Sequence, residues 1–276
     1  VEQEMSARTM VCVHAHPDDE ALFTAGVQAH YGRRGARQVL ITCTTGGLGF
    51  DTDGRSSIDH AHDAEVVATT RAKELSRSCA ILGIDRAEQL GYDDSGMAGW
   101  KSNLAETAFV NQSVDEVSTK IAKILEEERP QVVVTYGSDG FYGHPDHIQT
   151  HLATMAAVEK SPWVQRVYFV AFSESILKRC IERGEAGMSL PDWLRLGLVE
   201  GVQDEHIETS VDCSDVIELK HRALRSHASQ SDNDDLVALP KEVFAELFGT
   251  EIYLRGYDTT GSPLPETDLF AGVVAH

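Results

Sequence analysis

The chain has 276 residues, 42% hydrophobic and 25% charged, a balance that suits a globular protein with a sizeable core. Its 24 basic and 44 acidic side chains give a formal charge of −20, which repels phosphate backbones and excludes nucleic acid as an expected partner. No run approaches the roughly 20 apolar residues of a membrane span, so no membrane association is expected either.

In chain order, the polar segment Val1–Thr9 does not read as a signal peptide, and Met10–Ala15 reads as a buried strand. A helix is expected over Asp19–Arg34, a strand over Gln38–Cys43, and a loop rich in Gly and Asp over Thr44–His60. The next helix, Ala61–Leu82, stops at Gly83, a residue suited to the left-handed end of a helix. A short strand over Ala87–Leu90 precedes an amphipathic helix, Val114–Glu128, that Pro130 terminates. Val132–Tyr136 reads as a strand, Asp146–Glu159 as a helix and Val164–Phe172 as a strand. Beyond Phe172 the pattern loosens, leaving a helix over Val216–Ala228 and a strand over Glu251–Tyr257. The alternation argues for an α/β fold with a doubly wound, mostly parallel sheet flanked by helices and a less regular C-terminal part. Ligands in such sheets bind beyond the carboxyl ends of the strands, where strand order reverses.

Two expected strand ends carry dense polar chemistry. His16-Pro-Asp-Asp-Glu20 follows the first strand, and His144-Pro-Asp-His147 follows Val132–Tyr136. Proline suits the first turn of a helix and acids suit a helix start, which accounts for one or two of these residues but not for the histidines. Imidazole and carboxylate donors without thiolate suit zinc or another divalent transition metal. A metal with an open position would acidify a water, and a free carboxylate nearby could take its proton. Asp18 and Asp19 cannot both ligate if one is to be that base, and spacing does not say which stays free.

The pair of motifs resembles the signature of the PIG-L/LmbE-type zinc de-N-acetylases over roughly residues 9–160. That resemblance implies a Rossmann-like core over residues 1–172, with 173–276 completing the same domain or forming a small substrate-side subdomain. It implies an enzyme that hydrolyses an amide on a glucosamine-containing small molecule, with one catalytic zinc and iron as the alternative metal. His16, Asp19 and His147 then hold the metal and Asp18 is the base. His144 stabilises the oxyanion as a cationic imidazole or protonates the leaving amine, oriented by Asp146, and Tyr142 closes over the oxyanion. Arg71 and Asp94 fall where the family holds sugar hydroxyls, an arrangement that matches the donors and acceptors of a polyol.

Leu90-Gly-Tyr-Asp-Asp-Ser-Gly-Met97 and His227-Ala-Ser-Gln230 resemble the members that work on mycothiol and its precursor, one a deacetylase of N-acetylglucosaminyl-inositol and the other a mycothiol S-conjugate amidase. Gly46-Gly-Leu-Gly-Phe50 departs from the charged residues those members carry. An antibiotic-tailoring deacylase, a non-hydrolytic biosynthetic enzyme and a sugar-binding module are the rival readings. The polar loop Phe50–His62 reads as a lid. His14 and His151 are expected behind the metal ligands, His60 and His62 in a solvated loop, and Trp100, Trp163 and Trp193 in the core or pocket wall. Five scattered cysteines without a CxxC pair suggest reduced, buried thiols and a cytoplasmic location, with a homo-oligomer left open.

Overall fold

A computed structural model describes residues 7–185, 187, 194, 197 and 199–275; the expectation for Trp193 lies outside the described residues. The elements in chain order are β1 (Thr9–His14), α1 (Ala25–Gly32), β2 (Arg37–Thr44), α2 (Ala64–Leu82), β3 (Arg86–Tyr92), α3 (Val114–Glu128), β4 (Val132–Thr135), α4 (Pro145–Glu159), β5 (Arg166–Ala171), α5 (Glu174–Glu185), β6 (Thr209–Asp212), α6 (Ile217–Ser226), α7 (Lys241–Phe248) and β7 (Thr250–Asp258). The strands form one sheet in the order β3-β2-β1-β4-β5-β7-β6, parallel from β3 to β5, with β7 antiparallel to both β5 and β6. This is the mostly parallel α/β architecture read from the sequence.

Both faces of the sheet are buried, which explains the unbroken apolar runs. Alternate residues of β1 divide between two cores, because successive side chains of a strand point to opposite faces. Met10 and Cys12 join Leu40, Leu75 and Leu224 on one face, and Val11 and Val13 join Val117, Ile121 and Ala153 on the other. All five cysteines are buried and free. No described helix is long and apolar enough to cross a membrane.

Helix boundaries follow local chemistry. Asp63 caps α2 by accepting from the backbone N–H groups of Glu65 and Val66, so the helix starts at Ala64 rather than Ala61, and Gly83 ends it with φ 74°. The helix expected over Asp19–Arg34 is interrupted. It opens with a wide π-type turn, Glu20–Thr24, and α1 starts only at Ala25. The break is held by Glu251 on β7, whose carboxylate accepts from Gly26 and Val27 N–H at 2.7 and 2.9 Å. That long-range partner, 225 residues away, could not be read locally. The short β6 and the helices α5 and α7 also escaped sequence reading. The C-terminal residues are built into the sheet, since β7 pairs with β5 from Arg166↔Asp258 to Ala171↔Ile252.

Candidate active site

Strand order reverses between β1 and β4: β1 leads outward to β2 on one side and pairs with β4 on the other. The crevice beyond their carboxyl ends is where an α/β sheet places its ligands. His16-Pro-Asp-Asp-Glu20 leaves β1 there, and the segment to His144-Pro-Asp-His147 leaves β4 there, with Pro145 in the first turn of α4. The two motifs therefore meet across one sheet edge although more than a hundred residues separate them.

Three donors converge. Nδ1 of His16 lies 3.3 Å from Nε2 of His147 and 3.4 Å from Asp19 Oδ2, and His147 Nε2 lies 3.6 Å from Asp19 Oδ1. Tetrahedral coordination with bonds of about 2.0–2.1 Å sets ligand atoms roughly 3.3–3.4 Å apart, so the trio fits a metal such as zinc. All three side chains are buried. A second group of donors, His16, Asp94, His144 and Asp146, lies beside it. Hydrogen bonds already use that group. Asp146 Oδ2 sits 3.2 Å from His16 Nε2 and accepts from Ser95 N–H at 2.9 Å, and Asp94 accepts from Gly96 and Leu48 N–H. The first group leaves its donor atoms turned towards one another, and the second is engaged in hydrogen bonds around it.

Asp19 is fixed from behind. Its Oδ2 accepts from the His16 backbone N–H and from the Tyr136 hydroxyl, each at 2.7 Å. Tyr136 stacks on His147 with ring centroids 4.0 Å apart, and its hydroxyl accepts from Ala15 N–H and lies 3.1 Å from His14 Nδ1. Burial opposes charge on Asp19, but His147 and His16 hold its carboxyl well below the usual range. Burial keeps His14 neutral, so it donates to Tyr136 and takes the Thr24 hydroxyl on Nε2 at 2.8 Å. His14 thus reaches Asp19 through Tyr136, whereas His151 bonds the Tyr136 carbonyl at 2.9 Å and faces Phe169.

Asp18 turns the other way. Its φ of 117° is rare for a residue with a side chain and costs roughly 1–3 kcal/mol, so neighbours must enforce it. Its carbonyl accepts from Ala21 and Leu22 N–H, and its N–H donates to Glu20 Oε2 at 3.0 Å. The carboxylate lies 3.0 Å from Arg71 Nη2 and 3.5 Å from Asn233 Nδ2. Burial raises the Asp18 carboxyl to about 7, against the lowering effect of Arg71. It lines a pocket of about 210 Å³ together with His16, Asp19, Asp94, Tyr142 and His144.

Three expectations are corrected in detail. The Asp146 carboxylate serves His16, not His144; it is the Asp146 backbone N–H that bonds His144 Nδ1, at 3.1 Å. That bond leaves the proton of a neutral His144 on Nε2, and burial with His16 and His147 pushes its pKa down to about 3, so a cationic imidazole is not what this pocket presents. Arg71 is 4% exposed and spends its guanidinium on the carbonyls of Gly46 and Pro17 and on Asp18. It is thus tied to Asp18 as much as to the pocket. His62 lies half-buried in the loop before α2, with its Nε2 2.8 Å from the Gly49 carbonyl.

Tyr142 lines the pocket with its ring 4.9 Å from that of His147, placed there by Phe141 at φ 69°. Trp100 also lines it, as expected, while Trp163 lies under Arg129 at the surface side. Sequence reading missed Tyr136 and Asn233. A hydroxyl closing the apolar run Val132–Tyr136 was the only signal for the first; nothing local pointed to the second. The glycines of Gly46-Gly-Leu-Gly-Phe50 have a steric reason. Gly46 has φ 64°, and a Cβ there or at Gly49 would strike the Arg71 guanidinium.

Residues 11–158 match the family model described as PIG-L: GlcNAc-PI de-N-acetylase. The chain is 38% identical over 289 residues to a 1D-myo-inositol 2-acetamido-2-deoxy-alpha-D-glucopyranoside deacetylase from Mycobacterium sp. (strain JLS), covering 96% of this chain and 89% of that one. Among solved structures it is similar to the N,N'-diacetylchitobiose deacetylase from Pyrococcus horikoshii (TM-score 0.55, 21% identity, 90% of this chain and 83% of that one). It is also similar to a 4-carboxy-2-hydroxymuconate hydratase from Pseudomonas putida (TM-score 0.56, 18% identity, 93% and 99%). The two structures share only the fold, which evidently hosts more than one chemistry. The family match spans both motifs, and with a relative this similar along nearly the whole chain, the protein belongs to the PIG-L family and is a hydrolytic de-N-acetylase.

Proposed function

We propose that the enzyme removes the acetyl group from an N-acetylglucosaminyl-inositol, using zinc held by His16, Asp19 and His147. The observation that carries the reading is the division of labour between adjacent acids: Asp19 faces two imidazoles at 3.4 and 3.6 Å, while Asp18 faces the pocket. The relative from Mycobacterium, named for that substrate, supports the choice of sugar. Zinc, when bound, supplies Lewis acidity for the amide carbonyl and lowers the pKa of a water.

The side chains supply the rest. Asp18 accepts the proton of the attacking water, a task suited to a carboxylate raised to about 7. His144, neutral with its proton on Nε2, donates to the carbonyl oxygen as it gains charge, and Tyr142 is the second donor at that oxygen. The departing nitrogen takes up the proton that Asp18 collected, which returns the base to its starting form. Asp94 borders the same pocket and meets the sugar hydroxyls from the side of β3, while Arg71 on α2 backs Asp18. Amine release from N-acetylglucosaminyl-inositol, N-acetylglucosamine and a mycothiol S-conjugate by metal-stripped and zinc-reloaded protein tests the reading. Zinc-dependent release from the first is expected; release from the S-conjugate alone would move the assignment to the amidase branch.

A further inference from the structure

Glu20 belongs to the first motif yet touches neither the pocket nor the trio of donors. Its carboxylate is wholly buried. Oε1 accepts from the Ser78 hydroxyl at 2.5 Å and from His227 Nε2 at 2.7 Å, and Oε2 accepts the backbone N–H of Asp18 at 3.0 Å. Burial alone would lower the His227 pKa, but Glu20 raises it. Among the described residues Nδ1 of His227 has no partner, so the imidazole acts through Glu20. The three groups come from the turn after β1, from α2 and from the segment after α6.

What they grip is the backbone of a residue at φ 117°. Such a conformation persists only where its surroundings over-determine it. We infer that Glu20, fixed by His227 and Ser78, is a positioning residue for Asp18: by holding the Asp18 N–H it keeps the backbone turn that aims the carboxylate into the pocket. Released from that acceptor, Asp18 relaxes towards negative φ and its carboxylate leaves Arg71 and Asn233. Asp19 has its own restraints, from Tyr136 and the His16 N–H, so the metal position is held separately. The segment after His227 extends the same grip: Ser229 bonds Glu74 on α2 through both its N–H and its hydroxyl, and Asn233 reaches Asp18.

The inference rests on Asp18 as the base, so Asp18→Asn is measured beside it. The experiment is turnover of N-acetylglucosaminyl-inositol by zinc-loaded Glu20→Met, Glu20→Gln, Ser78→Ala and His227→Phe, with kcat expressed per bound zinc. Glu20→Met is expected to lose about 100-fold in kcat with KM unchanged, the scale of a misplaced reacting group. Glu20→Gln, whose amide oxygen still accepts the Asp18 N–H, should recover most of that loss. A purely structural ion pair would instead lower Tm and leave kcat per zinc at the wild-type value, and that result overturns the inference. Should Glu20→Met not fold, the same result in both Ser78→Ala and His227→Phe overturns it. Turnover surviving in Asp18→Asn sinks the base assignment itself, whatever the Glu20 variants do.

Discussion

Asp146 Oδ2 lies 3.2 Å from Nε2 of His16, on the opposite side of the ring from His147 and Asp19, which face Nδ1. A carboxylate behind a ligating imidazole fixes its tautomer and strengthens it as a donor. The second motif therefore supports the first: His147 completes the donor trio, and its neighbour in sequence steadies the trio's other histidine.

From that relationship, Asp146→Ala is expected to weaken zinc binding about 10–100-fold, measured by competition with a chelator. Unchanged affinity with reduced kcat would place the action of Asp146 on His144 instead.

The adjacent acids should separate cleanly. Asp18→Asn is expected to abolish turnover while keeping bound zinc, whereas Asp19→Ala and His147→Ala should lose the metal, because each removes a donor from the trio. Metal content by mass spectrometry or atomic absorption, read with amine release, distinguishes the two classes. Zinc-replete Asp18→Asn with normal turnover would remove Asp18 from the chemistry.

Activity should rise with pH through an acid limb governed by Asp18. Burial raises its carboxyl to about 7, and a base works only when ionised, so protonation below that range suppresses kcat/KM. Arg71 lowers the same pKa, so Arg71→Gln is expected to move the limb to higher pH; loading zinc adds positive charge nearby and acts in the opposite direction. An unmoved limb in a folded Arg71→Gln enzyme would mean that another group sets it. The variant also breaks a buried pair and two carbonyl bonds, and a loss of about 3–5 kcal/mol should appear as a lowered Tm.

Gly49→Ala tests the close packing of the loop after β2. A methyl group there meets Gln230 Oε1 and Arg71 Nη1, both of them buried and engaged. A stability loss of about 1–3 kcal/mol is expected from overpacking, with a raised KM because Leu48 and Phe50 line the pocket. Wild-type Tm and KM would show that the loop yields freely.

Much of the molecule is determined locally. The apolar runs of β1, β2 and β4 declare a sheet buried on both faces, and Gly83 and Pro130 mark where helices end. The two motifs by themselves announce imidazole and carboxylate donors at strand ends. Tertiary structure decided the rest, because it depends on contacts between residues far apart in the chain. Glu251 breaks the first helix from across the sheet, and Tyr136 and His147 claim Asp19 for the donor trio. Glu20, His227 and Arg71 twist and hold Asp18 towards the pocket. Two adjacent aspartates are equivalent in sequence, and only the backbone turn between them and the partners on either side set Asp19 against two imidazoles and Asp18 against Arg71 at the pocket wall.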